Sequence, residues 1–326
     1  MELIEQARAL LAAERALRRY EVLAKSDDRE AWLAERKKSI GASEISAVLG
    51  VLPVNWGGPF TLYLEKVGQA PEREQTAKMK AGLRLERAIA EWAADDLGLE
   101  IVGGGVLTRS VEHPFLSATV DFDVLMRSAP QAGLGVLEIK NVEIRDPLFD
   151  EWTEGAPVYY RAQLAQQLVV TGRRWGALAG LVNGHDLRPR IYLADDLADL
   201  SARIIPEGRA FWSRVERQDM PAPDGGKAAG AAVLAMVGDE VQGKKVDLPG
   251  WSVEADDELE RLSGEIDVLF RRRDELRQKL QLAIGDAEEG RIPGRPFAWR
   301  FRTITKAGYY VDPQASRQLR RVKARG

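Results

Sequence analysis

The apolar pattern of this chain changes period at Gly98, and that switch limits the fold more than any other feature. Residues 76–97 place apolar side chains at helical spacing, whereas 99–107, 116–126 and 134–142 are short runs rich in Val, Ile, Leu and Phe with turn residues between them. The reading is one long helix followed by three strands in an antiparallel meander. Gly155-Ala156-Pro157 then opens a helix that runs to Thr171 and Gly172. After it come a strand over 175–182, a charged strand over 189–193 and a helix near 196–218. Interleaved helices and strands predict an α/β fold, a mixed sheet flanked by helices. With 326 residues and 45% apolar content the chain can bury a real core, which excludes a disordered protein.

Flanking segments complete the plan. Residues 1–25 read as an amphipathic helix, and Ser26, Asp27 and Asp28 offer an N-cap for a second helix carrying Trp32 and Leu33. In SIGASEISAVLGV, Gly41 breaks the run and Ser43 stands where it could cap a helix ending near Gly50. PAPDGGKAAG, 221–230, reads as a linker. The predicted parts are an N-terminal helix 1–28, a main domain 29–220, the linker 221–230 and an extension 231–326. In the extension Leu259, Leu262, Ile266, Leu269, Leu276, Leu280 and Ala283 form a heptad seam interrupted by Arg273. The first helix, a second copy of the chain and the body of the main domain are all candidate partners for that seam. FAWRFRTITKAGYYV reads as a hairpin turning at Ala307-Gly308. Residues 291–326 hold eight Arg and two Lys against Asp312, a local +9, which leaves −12 for the rest of a chain whose total is −3. Phe297, Trp299, Phe301, Tyr309 and Tyr310 are interleaved with these bases, a pattern shared by solvated tails and phosphate-contacting segments.

Composition removes several chemistries. Without cysteine there is no disulfide framework, thiolate zinc site, iron–sulfur cluster or cysteine nucleophile, and a reducing compartment is expected. With only His113 and His185, a metal would rest mainly on carboxylates, which favours Mg²⁺ or Mn²⁺. No run approaches the roughly 20 apolar residues of a membrane span, and the charged start is no signal peptide. The expectation is a soluble, intracellular protein of the cytoplasm, with no membrane partner.

The carboxylates fall in a telling order. In TVDFDVLM the two-residue period of a strand sets Asp121 and Asp123 on one face, and in VLEIKN it sets Glu138 and Lys140 on one face. If the two strands are hairpin neighbours, Asp121, Glu138 and Lys140 converge, a layout similar to the PD-(D/E)xK nuclease site. Close carboxylates remain ionised together mainly when a divalent cation holds them. Such a cation clamps a phosphate and lowers the pKa of a water, and an ammonium nearby offsets developing charge. On the helix over 77–97, Glu86 interrupts the stripe Met79, Leu83, Ala90, Ala93 and Leu97, where a lone buried carboxylate would be costly without a partner. Tyr160, Gln163 and Gln167 share one face of the next helix.

RKKSIGASEISAVLG, GLRLE, HPFLSATVDFD, LEIKN and YYRAQLAQQLVVTG, in that order, make the chain resemble the YqaJ viral recombinase family over roughly 29–182. That resemblance implies a PD-(D/E)xK restriction-endonuclease-like core and a metal-dependent 5′→3′ exonuclease entering at the ends of double-stranded DNA. It further implies a homo-oligomer, often a trimeric ring, working beside a single-strand annealing protein. By position, Asp121 and Glu138 match the metal-binding acids, Glu86 the helix-borne acid, Lys140 the catalytic lysine and Gln163 the supporting glutamine. Arg36 and Ser43 match the pair that holds the 5′-phosphate; an Arg fork and a hydroxyl at a helix start suit that task. The second glutamine of the family's Q-x-Q is Ala165 here, with Gln166 and Gln167 beside it, and Pro-Asp-Gly is replaced by Val120-Asp121-Phe122. The expected activity is therefore Mg²⁺-dependent digestion of linear duplex DNA to leave 3′ overhangs for recombination. An endonuclease of restriction or structure-specific type on the same core, and a non-catalytic DNA-end-binding scaffold, are the alternatives.

Overall fold

Two sheets meet at one residue, and that junction organises the molecule. The computed structural model describes residues 2–25, 28–70, 76–144, 150–295 and 298–304. Among these the chain forms two compact units, dividing after Gly238.

Unit 1 is mixed α/β. It begins with α1 (Glu2–Ala16), which ends in a turn where Arg18 takes a φ of 49°. The chain then enters strand β1 (Tyr20–Lys25), paired antiparallel with β4 (Val106–Ser110). The single helix expected over 1–25 is thus split, because Tyr20 and Val22 suit a pleated edge and Tyr20 is buried. Asp28 accepts the Ala31 N–H at 3.2 Å and caps α2 (Arg29–Arg36); Ser26 and Asp27 lie outside the described residues. The short β2 (Ile40–Gly41) runs parallel to β5 (Leu116–Val120), giving a four-stranded sheet in the order β1-β4-β5-β2. After it come a 3-10 turn over Ala42–Glu44, α3 (Ile45–Val48) and α4 (Pro59–Lys66).

The second sheet has the order β3-β6-β7-β8-β9. Its strands are β3 (Leu99–Gly103), β6 (Phe122–Met126), β7 (Gly135–Val142), β8 (Trp175–Val182) and β9 (Asp186–Leu193). β6 and β7 form an antiparallel hairpin, whereas β7 and β8 are parallel and joined through α6 (Val158–Thr171). The expected three-strand meander is therefore not what forms: 116–126 breaks at Asp121, with β5 in one sheet and β6 in the other. Gly104 permits the break to be covered closely, since a Cβ there would lie 2.2 Å from the Asp121 carbonyl oxygen.

Alternation along β7 and β8 sorts two cores. Leu137, Ile139, Ala177 and Ala179 pack with Ile89, Ala90, Ala93 and Ala94 of α5 (Ala77–Leu97). Val136, Leu178 and Val182 pack in the other core with Ala162, Leu164 and Ala165 of α6. Helices thus cover opposite faces of the five-stranded sheet. The buried part of α5 is its C-terminal half; Met79 and Leu83, expected on the apolar stripe, are 51% and 61% exposed.

Two further elements close unit 1, α7 (Ala198–Glu216) and α8 (Lys227–Val237). Residues 227–230, expected in a linker, form the first turn of α8, whose Ala229 and Ala232 are buried in the core. Unit 2 holds α9 (Trp251–Ile284) and a two-stranded sheet of β10 (Glu289–Arg291) and β11 (Ala298–Arg300). Trp299 thus pairs upstream with Gly290. The turn expected at Ala307-Gly308, with Phe297, Tyr309 and Tyr310, lies outside the described residues.

Candidate active site

Glu138 is the centre of the arrangement. It is 2% exposed on β7, on the strand face that meets α6. Its Oε1 accepts from Lys140 Nζ and from Gln163 Nε2, both at 2.5 Å, and its Oε2 accepts from Gln167 Nε2 at 2.6 Å. Gln167 also donates to the Thr119 carbonyl at 2.9 Å, linking α6 to β5. The turn-to-turn spacing of α6 puts Gln163 and Gln167 side by side, so Gln167 provides a second amide on Glu138 where the family pattern would use position 165. Gln166 faces elsewhere, donating to the carbonyls of Ile40 and Ser117, both at 2.8 Å.

Asp121, at the bend between the sheets, accepts the Ile139 N–H at 2.9 Å. Burial and then the Glu138 carboxylate push its pKa well above the ordinary aspartate value, with Glu86 adding to the rise and Lys140 opposing it. Glu86, half-buried on α5, is raised by burial and by Glu138. For Lys140, burial favours the neutral amine, but the Glu138 and Asp121 carboxylates outweigh it and hold the ammonium above its usual range. The lysine also lies 5.0 Å over the Tyr160 ring. Tyr160 packs at 4.4 Å against Tyr159, which lines a cleft of about 720 Å³ with Leu52, Pro53, Arg161, Arg190 and Tyr192.

Glu86, Asp121, Glu138, Lys140 and Gln163 are therefore brought within electrostatic or hydrogen-bonding reach of one another. Asp123 is not: Arg173 Nη1 donates to its Oδ1 at 2.6 Å, and the same guanidinium reaches Glu14 at 3.2 Å and the Gly135 carbonyl at 3.1 Å. That aspartate is a buried ion-pair partner fastening α1 to β6. Strand alternation alone could not separate the two aspartates, because the chain changes sheets between them.

Among the described residues, no three His, Cys, Asp or Glu side chains stand together at ion-holding positions. Both oxygens of Glu138 are occupied by Lys140 and the two glutamines. The donor set nevertheless fits a hard divalent ion: three carboxylates face one ammonium, and Asp121 and Glu86 are raised first by burial and then by the Glu138 carboxylate. Such an ion would draw on Glu86, Asp121 and Glu138, with Lys140 displaced from Glu138.

A second cluster surrounds Arg36. Its Nη2 donates to Ser43 Oγ at 3.1 Å and to Glu44 Oε1 at 2.6 Å, while the guanidinium stacks 4.5 Å from the Trp32 ring. Glu44 Oε2 accepts the Gly41 N–H at 2.7 Å and pairs with Lys66 Nζ at 2.5 Å; Lys66 also donates to the Arg36 carbonyl at 2.8 Å. Burial alone would raise Glu44, yet Arg36 and Lys66 hold it below the usual carboxylate range. Ser43 does not cap a helix as expected; the side chain that satisfies the turn is Glu44. The following helical segment is only seven residues long, so an anion here would depend on the side chains. Glu44 and Lys66 escaped the sequence reading because a Glu inside ASEIS and a Lys ending a helix resemble ordinary surface charges.

Residues 31–174 match the family model described as the YqaJ-like viral recombinase domain. Over that span the chain is similar to the YqaJ-like viral recombinase domain. It is similar to the uncharacterized protein YqaJ of Bacillus subtilis (strain 168), at 29% identity over 291 residues and 87% of each chain. Among solved structures it is similar to an alkaline exonuclease (LHK-Exo) from Laribacter hongkongensis, at 22% identity and a TM-score of 0.44, covering 58% of this chain and 93% of that one. A phage-related exonuclease from Haemophilus somnus 129PT matches at 12% identity and a TM-score of 0.39, over 55% and 96%. The matched span runs from within α2 to just past α6; it contains every member of both clusters and none of α7, α8 or unit 2. Within the described residues no helix is long and apolar enough to cross a membrane.

Proposed function

We propose that the YqaJ-like domain is a metal-dependent exonuclease that digests one strand of linear double-stranded DNA from its 5′ end, on a PD-(D/E)xK core. The observation that carries this reading is the Glu138 carboxylate, buried and fixed by Lys140, Gln163 and Gln167 with Asp121 and Glu86 in its field. A stable core has no use for a buried aspartate and a half-buried glutamate, each raised by burial and by the Glu138 carboxylate; phosphodiester hydrolysis has.

Glu86, Asp121 and Glu138 would hold Mg²⁺ or Mn²⁺. When bound, the ion supplies Lewis-acid polarisation of the scissile phosphate and a more acidic water. Lys140, kept protonated by its acidic neighbours, orients the attacking oxygen and offsets charge building on the phosphate. The amides of Gln163 and Gln167 hold Glu138 in one rotamer, and the Ile139 N–H does the same for Asp121. Arg36, with Nη1 and Nε not used on Glu44 or Ser43, is free to fork onto a terminal phosphate, with the Ser43 hydroxyl beside it. The product would be a 3′ overhang, the substrate an annealing protein takes.

The test is incubation of end-labelled linear duplex, with and without a 5′-phosphate, in Mg²⁺ or EDTA, beside a covalently closed circle. Mononucleotide release from phosphorylated ends in Mg²⁺ only is expected. Cutting of the closed circle, or intact DNA despite gel-shift binding in Mg²⁺ and Mn²⁺, would overturn the reading.

A further inference from the structure

Among the described residues of unit 2, nothing covers the apolar seam of α9. No residue of this 34-residue helix is buried. Leu259, Ile266 and Leu269 are 58%, 47% and 67% exposed, and Leu262 and Leu276 are 38% and 47% exposed. With 259, 266, 273 and 280 as a positions and 262, 269, 276 and 283 as d positions, the 3–4 alternation holds from end to end. The seam is regular enough to seat a helix of the same period.

The flanking charges say which helix and in which direction. The g positions read Glu258, Glu265, Arg272 and Lys279, acidic in the first half and basic in the second. In a parallel pair, g faces e of the next heptad, which sets Arg272 against Arg277 and leaves Glu258 facing Ser263; the a-layer would also bury Arg273 against its own copy. In an antiparallel pair, g faces g. Setting Ile266 across from Leu269, and Leu259 from Leu276, brings Glu265 to Arg272 and Glu258 to Lys279. The same register puts Asp256 by Arg277 on the e side and places Arg273 against Leu262 rather than against another Arg. Sliding by one heptad either way sets Arg272 or Glu265 against itself. Only one register avoids like charges at the centre.

We propose that α9 pairs with the α9 of a second copy of this chain, antiparallel, in the register that sets Leu259 opposite Leu276. The pairing stands whatever reaction unit 1 performs. Glu265 and Arg272 now bond within their own helix, to Arg261 and Glu275. Exposed pairs of that kind are weak and exchange readily for partners across an interface.

The full-length protein tests this directly, because it contains no cysteine. Leu259→Cys and Leu276→Cys proteins are made separately, mixed and oxidised. A disulfide joining the two different variants is expected, with little in either alone, since like positions would sit about 26 Å apart along the pair, at 1.5 Å per residue. Efficient crosslinking of each variant to itself would mean a parallel pair, and no interchain bond at all would mean no pair; both overturn the proposal. Charge exchange supplies a second arm, read as mass by light scattering over a dilution series. Glu265→Arg and Arg272→Glu should each raise the dissociation constant about tenfold, and the double exchange should restore it. Singles without effect, or a double variant weaker than both, refute the register.

Discussion

Replacing Asp121 with Asn separates the cost of the acidic cluster from its use. In the metal-free protein the aspartate is raised by burial and by Glu138, so folding disfavours its ionised form. The sign follows: stability associated with the neutral acid is present below the unfolded value of 3.8 and is lost as pH rises through the higher folded value. At pH 8.5 in EDTA the wild type bears more of this cost than at pH 5, and Asp121→Asn bears none of it. The amide oxygen can still accept the Ile139 N–H. Relief of one unit of buried like charge is worth about 1–3 kcal/mol, and at about 2–4 °C per kcal/mol for a domain of this size the variant should melt about 2–12 °C higher. The gap should close on acidification as the wild-type carboxyl protonates. Adding Mg²⁺ should reverse the order: at about a hundredfold over its dissociation constant the ion gives the wild type about 2.7 kcal/mol, and the variant much less. Thermal unfolding at pH 5, 7 and 8.5, with EDTA or Mg²⁺, reads all of this. A variant less stable than wild type at pH 8.5 in EDTA, or stabilised equally by Mg²⁺, would refute the claim that Asp121 belongs to a charge cluster completed by a cation.

Lys140→Ala should leave DNA binding within about twofold while the cleavage rate falls about 10²–10⁴-fold, measured by single-turnover product release beside a gel shift. Arg36→Ala should lower kcat/KM on 5′-phosphorylated duplex about 10–100-fold and leave 5′-hydroxyl duplex nearly unchanged; Glu44→Gln should narrow the same preference because it loosens Arg36. Arg173→Met strands Asp123 and Glu14, and should cost about 3–5 kcal/mol, visible as a lower Tm at pH 8.

The helical stretch over 77–97, the buried strand β8 and the helix carrying Gln163 were legible because each keeps one period over several turns or residues. The acid-x-lysine pair on β7 was legible for the same reason: Glu138 and Lys140 share a strand face whatever the sheet order. What the sequence could not show arises where a period is kept while the neighbours change. TVDFDVLM alternates without a flaw, yet the chain leaves one sheet and joins another at Asp121, so Asp121 and Asp123 part company. YEVLAK continued a helical pattern well enough to be read as helix, and only its pairing with β4 makes it a strand. Met79 and Leu83 obey the spacing of α5 but extend past the sheet that buries its other end. Lys66 and Glu44 are hidden for an energetic reason: a buried ion pair uses the same letters as a solvated one.

Asp121 occupies the seam where β5 of one sheet gives way to β6 of the other, and that address makes the site mechanically addressable. The distance from this acid to Glu138 is set by how two separate β-layers are angled, not by the pleat of either. The four-stranded layer has β1 at its rim, where the Tyr20 hydroxyl donates to Glu14 of the first helix, and Arg173 ties the same Glu14 to Asp123 of the other layer. Edits outside the acid cluster, at Tyr20 or Glu14 for instance, can therefore retune the spacing of the acids while leaving Glu86, Asp121, Glu138 and Lys140 themselves unchanged.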